Sequence, residues 1–208
     1  HAGIRDLAAN AANTSVTFTI QLGPPVTPQS GFIHGTIFDA LTQQPLSGVA
    51  VSVQGVDGSV QTNSDGAFQF PTPAGGLFLL TAVKTGYLPS QRQAEVLSGR
   101  DAAVDPIALR PADSRVTVIP PSGGTATNST GTIEVIIPPD AMAEPLSVQA
   151  TEFTQAQQLP APLPETSFFT YALDLQPEGA TFAAPVTVRL ANSRGFAPNT
   201  PIPIGLYQ

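Results

Sequence analysis

Two histidines, His1 and His34, are the only imidazoles in the chain, and there is no cysteine or tryptophan. General-base catalysis needs such a group aimed at a nucleophile. His34 stands in "GFIHGTIF" among apolar neighbours, and no serine nucleophile nearby has a recognisable partner. It reads as a satisfied or edge-exposed strand residue, and no catalytic residue is assigned. The absence of cysteine removes thiol nucleophiles, disulfides and thiolate metal sites. Two histidines alone do not make a structural zinc site. Calcium loops need dense oxygen ligands, as in D-x-D-x-D-G, and Asp57-Gly58 and Asp65-Gly66 lack that density. Asp101 and Asp105 in "GRDAAVDP" can be set near one end of a β-domain, against the plainer reading of a solvated loop. No metal ligand and no cofactor-binding residue is assigned.

Glycan recognition calls for aromatic platforms. Tyr87, Tyr171 and Tyr207 are scattered, and most phenylalanines fall on the inward phase of alternating runs. A glycan partner stays open without a platform to carry it. "NTS" at Asn13 and "NST" at Asn128 match the glycosylation acceptor pattern and equally suit ordinary turns.

The elements that would position any site are strands. The chain has 208 residues, of which 41% are hydrophobic and 11% charged, with 22 prolines and 18 glycines. That hydrophobicity argues against wholesale disorder, and the frequent Pro and Gly nearly exclude long helices. The net charge of −7 repels phosphate backbones, so nucleic acid is not an expected partner. No apolar run approaches the ~20 residues of a membrane span. The chain opens on His1 rather than Met and reads as a processed product or a piece of something longer.

Alternation defines the strands. In "TSVTFTIQL", residues 14–22, Val16, Phe18, Ile20 and Leu22 share one face, the mark of a half-buried strand. "GPPVTPQS", residues 23–30, follows as a Pro-rich linker of roughly 25 Å. Strands are then expected in "GFIHGTIFD", "GVAVSVQG", "SVQTN", "AFQF", "GLFLLTAVK" and "QAEVL", with "LFLL" buried on both faces. Asp65-Gly66 between "SVQT" and "AFQF" predicts a type I′ hairpin, because that turn needs positive φ. Further strands are expected in "RVTVIP", "GTIEVIIPP", "LSVQATEF", "FFTYALDLQP", "PVTVRLA" and "PIPIGLY", with one helical turn at "PPDAMAE". The fold class is all-β: tandem antiparallel β-sandwich domains with Pro-rich linkers.

Three resemblances organise these strands. "GFIHGTIFDALTQQPLSGVAVSVQG", "TNSDGAFQF" and "LTAVKTGYLP" resemble the carboxypeptidase regulatory-like family, a transthyretin-like sandwich that usually serves as an accessory module. "PSGGTATNSTGTIEVIIPPDAM" and "LDLQPEGATFAAPVTVRL" are similar to the β-sandwich of ankyrins, netrin receptors and zonula-occludens proteins. That family usually has Gly where Asp140 stands, and its pattern continues past "PIPIGLY", so a truncated module is expected. "RDLAANAANTSVTFTIQ" resembles the closing strand of a bacterial immunoglobulin-like domain. The implied domains are 1–22, a terminal or donor strand; 23–30, the linker; 31–110; and 111–208.

A purine-pathway hydrolase shares the transthyretin-like fold, but its second histidine and Tyr-Arg-Gly-Ser tail have no counterpart here. Related domains can form a lysine–asparagine crosslink from a first-strand lysine, whereas Lys84, the sole lysine, comes late. The resemblances therefore imply a non-enzymatic extracellular or cell-surface structural protein, a stalk or filament subunit. The alternatives are an adhesive glycan- or protein-binding module, or the region ahead of an Rhs/YD-repeat toxin shell. Expected partners are other copies of the chain or further domains of a longer one. A lone strand at 14–22 must pair with its own sheet edge, with a preceding domain, or with a neighbouring subunit by strand addition.

Overall fold

The computed structural model describes residues 31–72, 75–164, 166–202 and 205. The expectations for Val16, Phe18, Ile20 and Leu22, for the 23–30 linker, and for His1, Asn13 and Tyr207 lie outside the described residues.

Two β-sandwiches follow one another. In the first, β1 (Gly31–Asp39) lies beside β4 (Ala67–Thr72) on one edge and the short β7 (Ala102–Ala103) and β8 (Ile107–Leu109) on the other. The facing sheet runs β3 (Val56–Gln61), β2 (Ala50–Val53), β5 (Gly76–Val83), β6 (Ser90–Val96). Period-two alternation places Ile33 and Ile37, Val49, Val51 and Val53, and Phe68 and Phe70 in one shared core. β1 pairs antiparallel with β4 but parallel with β7 and β8. "PIALR", not among the expected strands, contains β8, whose Ile107 and Leu109 are fully buried and which pairs with β1.

The second sandwich packs a sheet ordered β10 (Gly124–Thr127), β11 (Ile133–Ile137), β14 (Thr187–Leu190) against one ordered β13 (Ala172–Gln176), β12 (Leu146–Phe153), β9 (Val116–Ile119). Ile133, Val135 and Ile137 form the buried stripe expected of them and meet Ile119, Val148 and Ala150. β10 has no large apolar residue, which is why alternation did not mark it as a strand.

Three local expectations are corrected. Asp65-Gly66 does not close a hairpin, since β3 pairs with β2 and β4 pairs with β1. The turn instead carries the chain from one sheet to the other. Only Gly66 has positive φ, at 69°, so the turn is not type I′. The Asn63 side chain organises it by accepting from the N–H groups of Asp65 and Ala67 at 3.0 and 2.9 Å. Second, "LFLL" is not buried on both faces: Leu80 is inaccessible while Leu77 is 69% exposed, because β5 has one face on the core and one toward solvent. Third, "PPDAMAE" makes turns rather than a helix. Asp140 takes φ 59° there, the left-handed position a glycine would occupy. Of "PIPIGLY", residues 201, 202 and 205 are described, and none is in a strand.

Candidate functional site

His34 is an exposed residue of β1, opposite Gln69 and Ala103. No described nucleophile or acid converges on it. Asp101 is used by the fold, its carboxylate accepting from the Phe32 N–H at 3.1 Å. Among the described residues, no group of three or more His, Cys, Asp or Glu could hold a metal ion. Lys84 Nζ donates to the Ser47 carbonyl at 2.9 Å. Asn128 is 1% exposed; its Nδ2 donates to the hydroxyls of Thr130 and Thr132, and its Oδ1 accepts from the Ile133 N–H. It is a buried brace at the entry to β11.

The two described tyrosines, Tyr87 and Tyr171, are also committed to the fold. Tyr87 donates to Asp39, and Tyr171 donates to Asn192 and accepts from the Arg194 N–H. The Tyr171 ring meets Phe196 at 6.1 Å, and the Arg194 guanidinium lies 5.6 Å from the Phe169 ring centre. These contacts hold the Tyr171, Phe196 and Phe169 rings in place, while Phe168 is 90% exposed.

The densest polar constellation lies where the sandwiches meet. Asp39, at the end of β1, accepts from the Leu41 and Thr42 N–H groups and the Tyr87 hydroxyl at 2.7, 2.8 and 2.8 Å. Burial pushes the Asp39 carboxyl up, but these donors outweigh it and hold the group below its ordinary value. Burial and the bond to Asp39 raise the Tyr87 hydroxyl. Arg110, just past β8, donates through Nε to the Glu152 carbonyl at 2.9 Å. Burial lowers its guanidinium from the ordinary value, while Asp113, Glu152 and Asp39 favour the charged form.

A further bond crosses the same seam: the Gln91 N–H, on β6, donates to the Pro160 carbonyl at 2.6 Å. Just past the joint and within the second sandwich, the Asp113 N–H donates to Thr151 Oγ1 at 2.9 Å, and Gln149 Nε2 donates to the Asp113 carbonyl. Beneath them Leu88 of the first sandwich packs with Phe153 and Leu159 of the second, flanked by Phe169 and Ala172. Each such side chain contributes about 1.5–3 kcal/mol when fully buried. "RPADS", residues 110–114, reads in the sequence as a junction between domains, but its partners at Gln149, Thr151 and Glu152 are distant in the chain and were not legible there.

The described residues include no helix long and apolar enough to cross a membrane. A comparison with curated proteins finds no match. Among solved structures, the chain is similar to a type II cohesin–X-dockerin complex from Acetivibrio cellulolyticus, at 22% identity and TM-score 0.33 over 40% of this chain and 59% of that one. It is similar to the pilus adhesin of Streptococcus pneumoniae, at 15% identity and TM-score 0.32 over 42% of this chain and 16% of that one. It is also similar to a streptococcal ancillary pilin, at 9% identity and TM-score 0.34 over 76% of this chain and 62% of that one. The matched regions thus span less than two thirds of each of these proteins. The β1–β8 sandwich has its own identity: residues 33–110 match the family model of the carboxypeptidase regulatory-like domain, and the chain carries that domain.

Proposed function

We propose that the chain is a non-catalytic structural segment of an extracellular or cell-surface protein, a two-module spacer whose sandwiches are held at a fixed angle. The observation that carries this reading is the joint. A flexible tether would leave its backbone groups to water and share no core. Here Arg110 and Gln91 bond across the boundary, and Leu88, Phe153 and Leu159 are buried together. Separate domains move relative to one another by default, and a shared apolar core with bonds across it opposes that motion. The low charge content and the side chains absorbed into turns and braces support a mechanical role over a chemical one.

The experiment uses the absence of native cysteine. Gln69 on β4 and Ser147 on β12 are exposed, one in each sandwich. Spin labels on cysteines at these two sites are expected to give one narrow distance distribution. A broad distribution, as from freely hinging modules, would overturn the spacer reading. A specific hit for the monomer on a glycan array would replace it with a binding module.

A further inference from the structure

We propose that the outer edge of β14 accepts residues 14–22 of a second copy of this chain as an added β-strand. This deepens the structural reading above by naming the partner.

The edge is open and correctly patterned. β14 pairs with β11 on one side only among the described residues, and all four of its residues are exposed. β13, at the margin of the facing sheet, is half-buried throughout. The Ala191 N–H donates to the Thr132 carbonyl. In an antiparallel ladder, bonded pairs alternate, so Arg189 and Thr187 also point their backbone groups at β11. The N–H and C=O groups of Val188 and Leu190 therefore face outward, ready for another strand.

The side chains agree. Val188 lies opposite Val135, and Leu190 opposite Ile133, so both extend the core-facing stripe. Yet each is 39% exposed while Ile133 and Val135 are buried. Among the described residues, none covers the core on this flank. The only charge on β14, Arg189, is on the other face, paired with Glu134 at 3.7 Å. An entering strand must offer apolar residues at alternate positions and uncharged polar ones between. Val16, Phe18, Ile20 and Leu22, interleaved with Thr17, Thr19 and Gln21, have that pattern and carry no charge.

Reach favours a second copy over the same chain. Asp39 is level with Leu109 and so ends β1 at the joint, while Gly31 lies at the far end. Nine residues of strand span about 30 Å. The Leu190 end of β14 is the end nearer the joint, since it pairs with Ile133, next to Thr132, whose hydroxyl donates to Glu152. A segment leaving Gly31 must retrace the whole of β1 before reaching β14. The eight-residue linker at 23–30 extends only about 25 Å as a polyproline-type spacer. A neighbouring molecule has no such limit, and head-to-tail repetition of the contact gives an open chain of subunits.

Cysteine trapping in the full chain tests this. Full-length Thr17→Cys, Thr19→Cys and Gln21→Cys proteins are each mixed with full-length Arg189→Cys protein under mild oxidation. The expected result is a disulfide-linked heterodimer from at least one mixture, lost when Phe18→Asp is added to the donor. Thermal melts of the Phe18→Asp protein check that both sandwiches keep their stability, so a lost crosslink reports on pairing. No heterodimer in any mixture would overturn the proposal. So would a double variant that crosslinks only within its own chain at high dilution. The Gln69–Ser147 distance reports on the joint alone, so the spacer reading and the strand-addition proposal fail separately.

Discussion

The Tyr87 hydroxyl donates to the Asp39 carboxylate at 2.8 Å across 48 residues of sequence. The bond ties the end of β1 to the stretch that enters β6, beside the joint, and it makes the first sandwich sensitive to pH. Because Asp39 is held below its ordinary value of 3.8, its contribution to stability is present above that value. It is lost as pH falls through the lower folded-state value. Tyr87 is raised above 10.0, so its contribution is present below that value and lost above its folded one. Asp39→Asn is expected to cost about 1.5–3 kcal/mol at pH 7 and to flatten the acid side of the stability profile. Denaturant titrations of both proteins between pH 7 and the acid limit of folding check this; parallel profiles would remove Asp39 as the cause.

Gly66→Val is expected to destabilise the first sandwich by more than about 2 kcal/mol. Left-handed φ costs a non-glycine residue about 1–2 kcal/mol, and a Cβ at this position would also collide with the Ile37 carbonyl. Asp65→Asn is expected to be nearly silent, because Asp65 contributes its N–H to Asn63 and leaves its side chain exposed. Thermal melts of the two variants decide it, and an unchanged Gly66→Val protein would refute the close approach.

Asn128→Ala leaves the buried Ile133 N–H without its acceptor. An unsatisfied buried donor costs about 1–3 kcal/mol, and the loss is expected in the second sandwich's unfolding transition. The same burial predicts that folded protein exposed to an oligosaccharyltransferase stays unmodified at Asn128, which mass spectrometry reads directly.

Arg110→Ala removes the guanidinium that bonds the Glu152 carbonyl. Each sandwich keeps its own core, so both are expected to stay folded while their coupling weakens. The Gln69–Ser147 distance distribution should broaden, and calorimetry should resolve two transitions where the parent shows closer ones. An unchanged distribution would assign the joint to Leu88, Phe153 and Leu159 and to the bonds that β6 makes with Pro160.

His34→Ala is expected to change stability by less than about 0.5 kcal/mol, as is usual for an exposed site away from special contacts. Any activity or binding later measured for the chain should survive it. Loss of such an activity with the melt intact would make His34 a functional group.

The sequence by itself determined the strands with strong alternation, and for a local reason. A period of two is written in adjacent residues, so β1 matches "GFIHGTIFD" to the residue and Ile133, Val135 and Ile137 are buried together. The left-handed φ at Asp140 fits the resemblance, whose family usually has Gly there, and was not legible from any local period. What lies on either side of a strand is not local. Asp65-Gly66 carries the residues of a hairpin, yet β3 and β4 belong to different sheets, because each finds a better-matched edge elsewhere in β2 and β1. β7, β8 and β10 are too short or too plain to show a period; the distant β1 makes β7 and β8 strands, and β10 is a strand through its pairing with the adjacent β11. The joint followed the same rule. Arg110 looks like a linker residue in the chain, and becomes a brace only because folding brings the Glu152 carbonyl, 42 residues away, within 2.9 Å.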